Sequence, residues 1–234
     1  MNESTNPQEL DQPKTSAFSR IIGVITSPRP TMDDIARFPT WFLPLAISTI
    51  AGAVATWFLQ DLIVEAQMTQ LANNPDLNEQ QIEAQRGVME AMGPFFAIFT
   101  IVFGPLFTVI IAAVLLFTGN FILGGESRFK VLFSTTCWAG IIYSVITIFS
   151  TPLMLASGKM EPVASLVFLA PTNDPTSFLY ALLVRIDLLS LWWVIVVGLG
   201  IGAAYKFSNQ KGITVAVVWW LIMILVGAVF TAGF

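Results

Sequence analysis

Apolar residues in this chain gather into five long runs, set apart by short polar stretches. Each run approaches or exceeds the ~20 residues with which an α-helix crosses ~30 Å of hydrocarbon. The runs cover about 41–62, 94–123, 131–156, 188–207 and 213–233. This pattern predicts an all-α integral membrane fold with five transmembrane helices, occupying residues 41–234. Pro44 falls in the first turn of the first span, where proline is tolerated, and Trp41 and Trp57 lie near its ends as interfacial anchors do. The second run is longer than a bilayer requires; Gly104-Pro105 predicts a kink, and tilt would absorb the excess.

Ahead of the first span the apolar spacing shortens. Phe18, Ile21, Ile22 and Ile25 form one helical stripe, and Arg20, Thr26 and Ser27 fall off it. Residues 17–39 therefore predict short amphipathic helices lying in the membrane interface. Pro28 and Pro30 end the first of them. Thr31 with Asp34 resembles a capping box and predicts a second helix over Met32 to Arg37. Residues 1–16 are polar and acidic, unlike a signal peptide, and read as a disordered cytoplasmic tail.

Between the first two spans, residues 64–92 are rich in Gln, Asn and Glu and predict a polar outer loop. Within it Asn73-Asn74-Pro75-Asp76 reads as a turn, and Asn78 with Gln81 as the start of a helix reaching about Met92. The fourth apolar run is interrupted by Arg185 and Asp187. Either one long helix carries both charges, or an interfacial helix ends beside them and the span begins at Leu188. The second is preferred, because Leu188 to Phe207 is long enough alone.

Basic residues set the orientation. Lys14, Arg20, Arg29 and Arg37 precede the first span, Arg128 and Lys130 follow the second, and Lys206 and Lys211 follow the fourth. Only Arg86 and Lys159 lie in the opposite loops. By the positive-inside rule the N-terminus is cytoplasmic and the C-terminus outside.

Composition narrows the chemistry. The chain is 55% hydrophobic and 11% charged, with a mean hydropathy of +0.75, too little charge to coat a soluble domain of this length. Histidine is absent, which removes the commonest general base and metal ligand. The lone Cys137 allows no internal disulfide and reads as a small buried hydrophobe. A net charge of −4 without any basic cluster excludes nucleic acid as a partner. No cofactor or metal site is expected.

The sharpest candidate site is Arg185 with Asp187. Ions inside a membrane are costly and usually functional. Two positions apart on a helix, they face away from each other and do not pair. The structural alternative makes Asp187 the cap of the helix starting at Leu188, with Arg185 reaching to headgroups. The functional alternative has Asp187 meeting a donor from another span, or Arg185 holding a lipid phosphate. Gly198 and Gly202, four apart, offer a close-packing helix face, for the bundle itself or for self-association. The hydroxyls of the third span, from Ser134 to Thr151, are read as bonding their own carbonyls or a neighbouring helix. The outer carboxylates Glu65, Glu79, Glu83 and Glu90, with Asp61 and Asp76, read as a solvated face.

Three stretches resemble a known family. Arg20-Ile-Ile-Gly-Val-Ile-Thr-Ser-Pro-Arg-Pro-Thr, with Ile35 and Pro39, resembles the entry segment of bacterial members of the Yip family (Ypt-interacting-protein membrane domains). Gly125-Glu-Ser-Arg-Phe-Lys-Val-Leu-Phe resembles that family's short cytoplasmic turn. Asp187-Leu-Leu-Ser-Leu-Trp192, continuing through Gly198, Gly200 and Gly202 to Lys206 and Lys211, resembles its Asp-x-x-Ser-x-Trp span. The chain departs from the pattern in lacking a proline near Ile141-Ile142-Tyr143. It also lacks the Asp-Leu-Tyr-Gly-Pro signature of eukaryotic members, which bind Rab GTPases in vesicle traffic, so a Rab-type GTPase partner is not expected. The resemblance implies a non-enzymatic multi-pass scaffold or adaptor in the bacterial inner membrane, partnered by the lipid bilayer, other membrane proteins or itself. The alternative is a small-solute or ion transporter using the polar residues near Arg185 and Asp187. An intramembrane enzyme fits least, for want of histidine and of a paired intramembrane carboxylate.

Overall fold

The computed structural model describes residues 15–72, 76–158, 160, 165–172, 174 and 177–231. Most of the N-terminal tail, the tip at 73–75 and much of the proline-containing stretch after 158 lie outside the described residues. Among the described residues there are eight α-helices and no strand: α1 Ala17–Thr26, α2 Pro28–Arg37, α3 Phe42–Ala72, α4 Glu79–Phe117, α5 Phe129–Ser157, α6 Phe178–Leu183, α7 Leu188–Tyr205 and α8 Asn209–Thr231. Five of them, α3, α4, α5, α7 and α8, are long and apolar enough to cross a membrane.

Two of the spans run well past the expected limits. At 1.5 Å per residue α3 is about 46 Å long. α4 continues as a single helix through Pro94 and Pro105 and ends in a π-helical turn, Thr118–Ile122. The interval 64–92 is therefore helical over 64–72 and 79–92: the helix expected from Asn78 is the start of α4, and the stretch expected as loop before it continues α3 to Ala72. Its apolar positions explain this. Val64 and Met68 are buried where α3 lies against α4, so the polar interval keeps one packed face. Asn78 starts α4 with a reciprocal cap, its side chain accepting from the Gln81 N–H while the Gln81 side chain accepts from Asn78.

The entry helices also differ from expectation. Pro28 opens α2 instead of merely stopping α1, as a first-turn proline can. Thr31 is thus one turn inside α2, where its hydroxyl donates to the Ser27 carbonyl, and Asp34 is taken by Arg20. There is no capping box at Thr31. α2 packs on α5 and α7, with Met32 and Ile35 fully buried. α1 turns Val24 inward and leaves Phe18, Ile22 and Ile25 exposed, so its apolar stripe is split between two faces.

α7 is the hub of the bundle. It is 56% buried along its apolar window, against 22% or less in the other four spans. α5 and α8 pack against it, and α3 and α4 close the far side of α5. The outward faces of α3, α4, α5 and α8 are almost wholly apolar and exposed, as a surface facing hydrocarbon must be.

Candidate functional site

Polar groups inside a membrane bundle are the places to look for chemistry. Clusters of charged side chains and a cavity stand out among the described residues; buried hydroxyls occur too, and those of Ser134 and Thr135 of α5, expected to bond their own carbonyls or a neighbouring helix, make no hydrogen bond.

The first set joins the entry helices to the bundle. Arg20 and Asp34 form an ion pair at 2.9 Å with side chains only 3% and 7% exposed. Arg20 also donates to the Phe38 carbonyl and to the Thr40 hydroxyl, at 3.1 and 2.9 Å, and the Thr15 hydroxyl donates to Asp34. The Trp138 indole N–H donates to the Thr40 carbonyl at 2.7 Å, and the guanidinium stands 5.7 Å from the Trp138 ring. The cluster therefore ties α1, α2, the linker at 38–40 and α5 into one knot. Helical spacing placed Arg20 on the polar face of a surface helix and missed its partner, fourteen residues away on another helix. A hint lay in the spacing of Arg20 and Asp34 around the prolines, but only the α1–α2 corner brings them together.

The second set is Arg185 and Asp187, both half-buried. Asp187 caps α7: its carboxylate accepts from the backbone N–H of Leu189 and Ser190, at 2.9 and 2.8 Å, and the Ser190 hydroxyl approaches the Asp187 N–H in return. Arg185 donates to the Ala181 carbonyl at 2.6 Å and to the Thr231 hydroxyl at 2.7 Å, and its side chain lies over Gly227. It fastens the end of α6 to the end of α8. Among the described residues no ion pair joins the two charges, and neither makes a hydrogen bond to α3, α4 or α5, although Asp187 lies close enough for its charge to act on the Tyr143 hydroxyl of α5.

The third set is outside the apolar zone. Arg86 lies 3.3 Å from Glu65 and 3.9 Å from both Glu83 and Glu90. These three carboxylates gather around a guanidinium, so their centre holds a cation of the protein's own.

Gly198 and Gly202 form the α7–α8 seam. A Cβ on Gly198 would collide with the backbone of Ile213, and one on Gly212 with the backbone of Gly198 and Gly202. Both glycines serve packing inside the bundle, because α8 already covers them. Cys137 is buried beside Ala112 and Phe133.

A cavity of about 470 Å³ lies between α4 and α8, floored by α5 and α7. Its lining includes Phe107, Val114, Thr136, Tyr143, Trp193, Ala216 and Met223, and neither Arg185 nor Asp187. Thr136 and Ala216 stand about two turns in from the starts of α5 and α8, and Tyr143 and Met223 about four turns in. The cavity thus lies roughly 10–20 Å from the turns at 123–128 and 206–208, within the depth of one lipid leaflet. Toward those turns the Trp219 indole donates to the Thr118 hydroxyl and the Tyr205 hydroxyl to the Leu116 carbonyl. The open side faces sideways, where Phe107 and Met223 are about half exposed.

A family model described as the Yip1 domain matches residues 22–230, from within α1 to the last turn of α8. The chain belongs to the Yip1 domain family. No curated protein and no solved structure shows a match. The three stretches that resembled the family have physical roles in this Yip1 domain. The entry segment supplies Arg20 for the buried ion pair. The short turn is held by Asn120, whose side chain exchanges hydrogen bonds with the backbone of Ser127, and Gly125 lets Tyr205 and Phe207 lie against it. The Asp-x-x-Ser stretch is the reciprocal cap of α7.

Proposed function

We propose that this Yip1 domain is a non-enzymatic scaffold or adaptor that holds other membrane proteins or lipids in the bacterial cytoplasmic membrane, with its N-terminus cytoplasmic and its C-terminus outside. One observation carries the reading. The charged groups Arg20, Asp34, Arg185 and Asp187 are spent on the fold itself, while broad apolar faces of α3, α4 and α8 are left exposed. Arg20 and Asp34 lock the entry helices, Asp187 caps α7, and Arg185 fastens α6 to α8. None of these is left to bind a solute or move a proton. The alternation of Lys and Arg between the two ends of the bundle supports the orientation. A transporter would need a polar route to Asp187, and the cavity is lined almost wholly by apolar and aromatic side chains, with Asp187 not among them.

Photocrosslinking in native membranes tests the proposal. A crosslinker at exposed Phe99 on α4 should capture a defined membrane protein, and one at buried Ala139 should not. The scaffold reading fails if both positions give only lipid adducts and the purified protein, reconstituted alone, exchanges a solute across liposomes.

A further inference from the structure

We propose that the cleft between α4 and α8 holds one acyl chain of an anionic phospholipid, with the phosphate resting among basic residues of the two adjacent turns. The inference deepens the lipid-binding side of the function proposed above and rests on it.

The cleft offers hydrocarbon and little else. Three of its four hydroxyl residues are engaged: Thr136 donates to the Leu132 carbonyl, Thr108 to the Gly104 carbonyl, and Ser48 accepts from Ser144, which leaves the Tyr143 hydroxyl at its far end. A polar solute would find few free partners there. A chain entering sideways past Phe107 and Met223 would meet only apolar and aromatic walls. Moving an acyl chain from the bilayer into this cleft exchanges one hydrocarbon environment for another, so the tail alone cannot select a lipid.

Selection falls to the headgroup, and the charge at the nearest membrane surface is complementary to an anion. Arg128 and Lys130 flank one turn, and Lys206 and Lys211 the other; all four are exposed. Among the described residues none of them is in an ion pair, although the Lys211 ammonium lies 3.7 Å over the Phe207 ring. Glu126 is the one carboxylate in these turns, and the nearby Asp33 is occupied by Arg29. The depth of the cleft, two to four turns beneath this rim, matches the chain of a lipid whose phosphate sits at the rim. The same charge disfavours a second copy as occupant. Two copies side by side about an axis along the membrane normal would bring like-charged rims together.

The test uses the full chain in nanodiscs of phosphatidylcholine, titrated with phosphatidylglycerol or phosphatidylcholine carrying brominated acyl chains. Bromine quenches tryptophan on contact, and Trp193, Trp219 and Trp220 line the cleft. Brominated phosphatidylglycerol should quench at a several-fold lower mole fraction than brominated phosphatidylcholine. Ala216→Phe, which fills the cleft, should abolish that difference. The surface pair Lys206→Gln and Lys211→Gln should leave the fold intact and reduce the preference by up to roughly fivefold for each lysine. Equal quenching by the two lipids in the native chain overturns the proposal. So does a preference that survives both sets of substitutions, or a crosslink that places a second copy over the cleft. Loss of the lipid preference with intact capture of a protein partner would remove this site and leave the scaffold reading standing.

Discussion

Arg20 of α1 and Asp34 of α2 meet at 2.9 Å inside the protein, with almost no surface left to solvent or lipid. Each charge is stranded without the other. Removing one partner of such a pair costs about 3–5 kcal/mol, because the remaining ion stays buried. Asp34→Ala should therefore lower thermal stability sharply in detergent, and Arg20→Met by a similar amount. The double variant Arg20→Met, Asp34→Leu should recover most of the loss, since two apolar groups leave no ion unpaired. A double variant no better than the two singles would show that the pair is not the source of the cost.

The α7–α8 seam should be intolerant of a single methyl group. At Gly212 an added Cβ meets backbone of Gly198 and Gly202, which cannot swing aside. Gly212→Ala should cost about 1–3 kcal/mol or more through overpacking. Gly87 of α4 has open space where its Cβ would be, so Gly87→Ala should be neutral or stabilise by up to about 1 kcal/mol. Melting of the two variants, compared side by side, separates a packing glycine from an incidental one.

Asp187 should behave as a helix cap. Asp187→Ala leaves the N–H groups of Leu189 and Ser190 unmet and should cost about 1 kcal/mol, whereas Asp187→Ser, another good cap, should keep most of the stability. A residue that carried protons or ions would not be replaceable by serine. Solute flux abolished by Asp187→Ser in a chain that still melts normally would restore the transporter reading.

Orientation is open to a labelling experiment. Cys137 is 2% exposed and should resist maleimide until the protein is denatured. In a Cys137→Ala background, an impermeant maleimide applied to intact cells should label Ala84→Cys on the outer hairpin. Gln210→Cys, in the first turn of α8, should be labelled only after lysis. The reverse pattern would invert the proposed topology.

Five spans, their order and the helix start at Asn78 are all readable along the chain, because they depend on local hydropathy and on cap residues a few positions apart. The Asp187-x-x-Ser190 stretch is legible for the same reason: cap and capped groups are three residues apart. The continuation of α3 over 64–72 was hidden, since polar composition suggested a loop while a thin packed face at Val64 and Met68 decided otherwise. Arg20 shows the same limit. Its spacing places it on a polar face, and nothing local says that this face is turned onto Asp34 and Trp138.

The sequence by itself determined that the solvent is hydrocarbon, how many times the chain crosses it, and which family the chain resembles. Those properties are sums over neighbouring residues. Only the tertiary structure decided which charges are buried against one another, that Gly198 and Gly202 lie under α8, and that α4 and α8 stand apart to leave a cleft. These depend on groups up to a hundred residues apart, as Thr118 and Trp219 are, whose meeting is set by how whole helices pack.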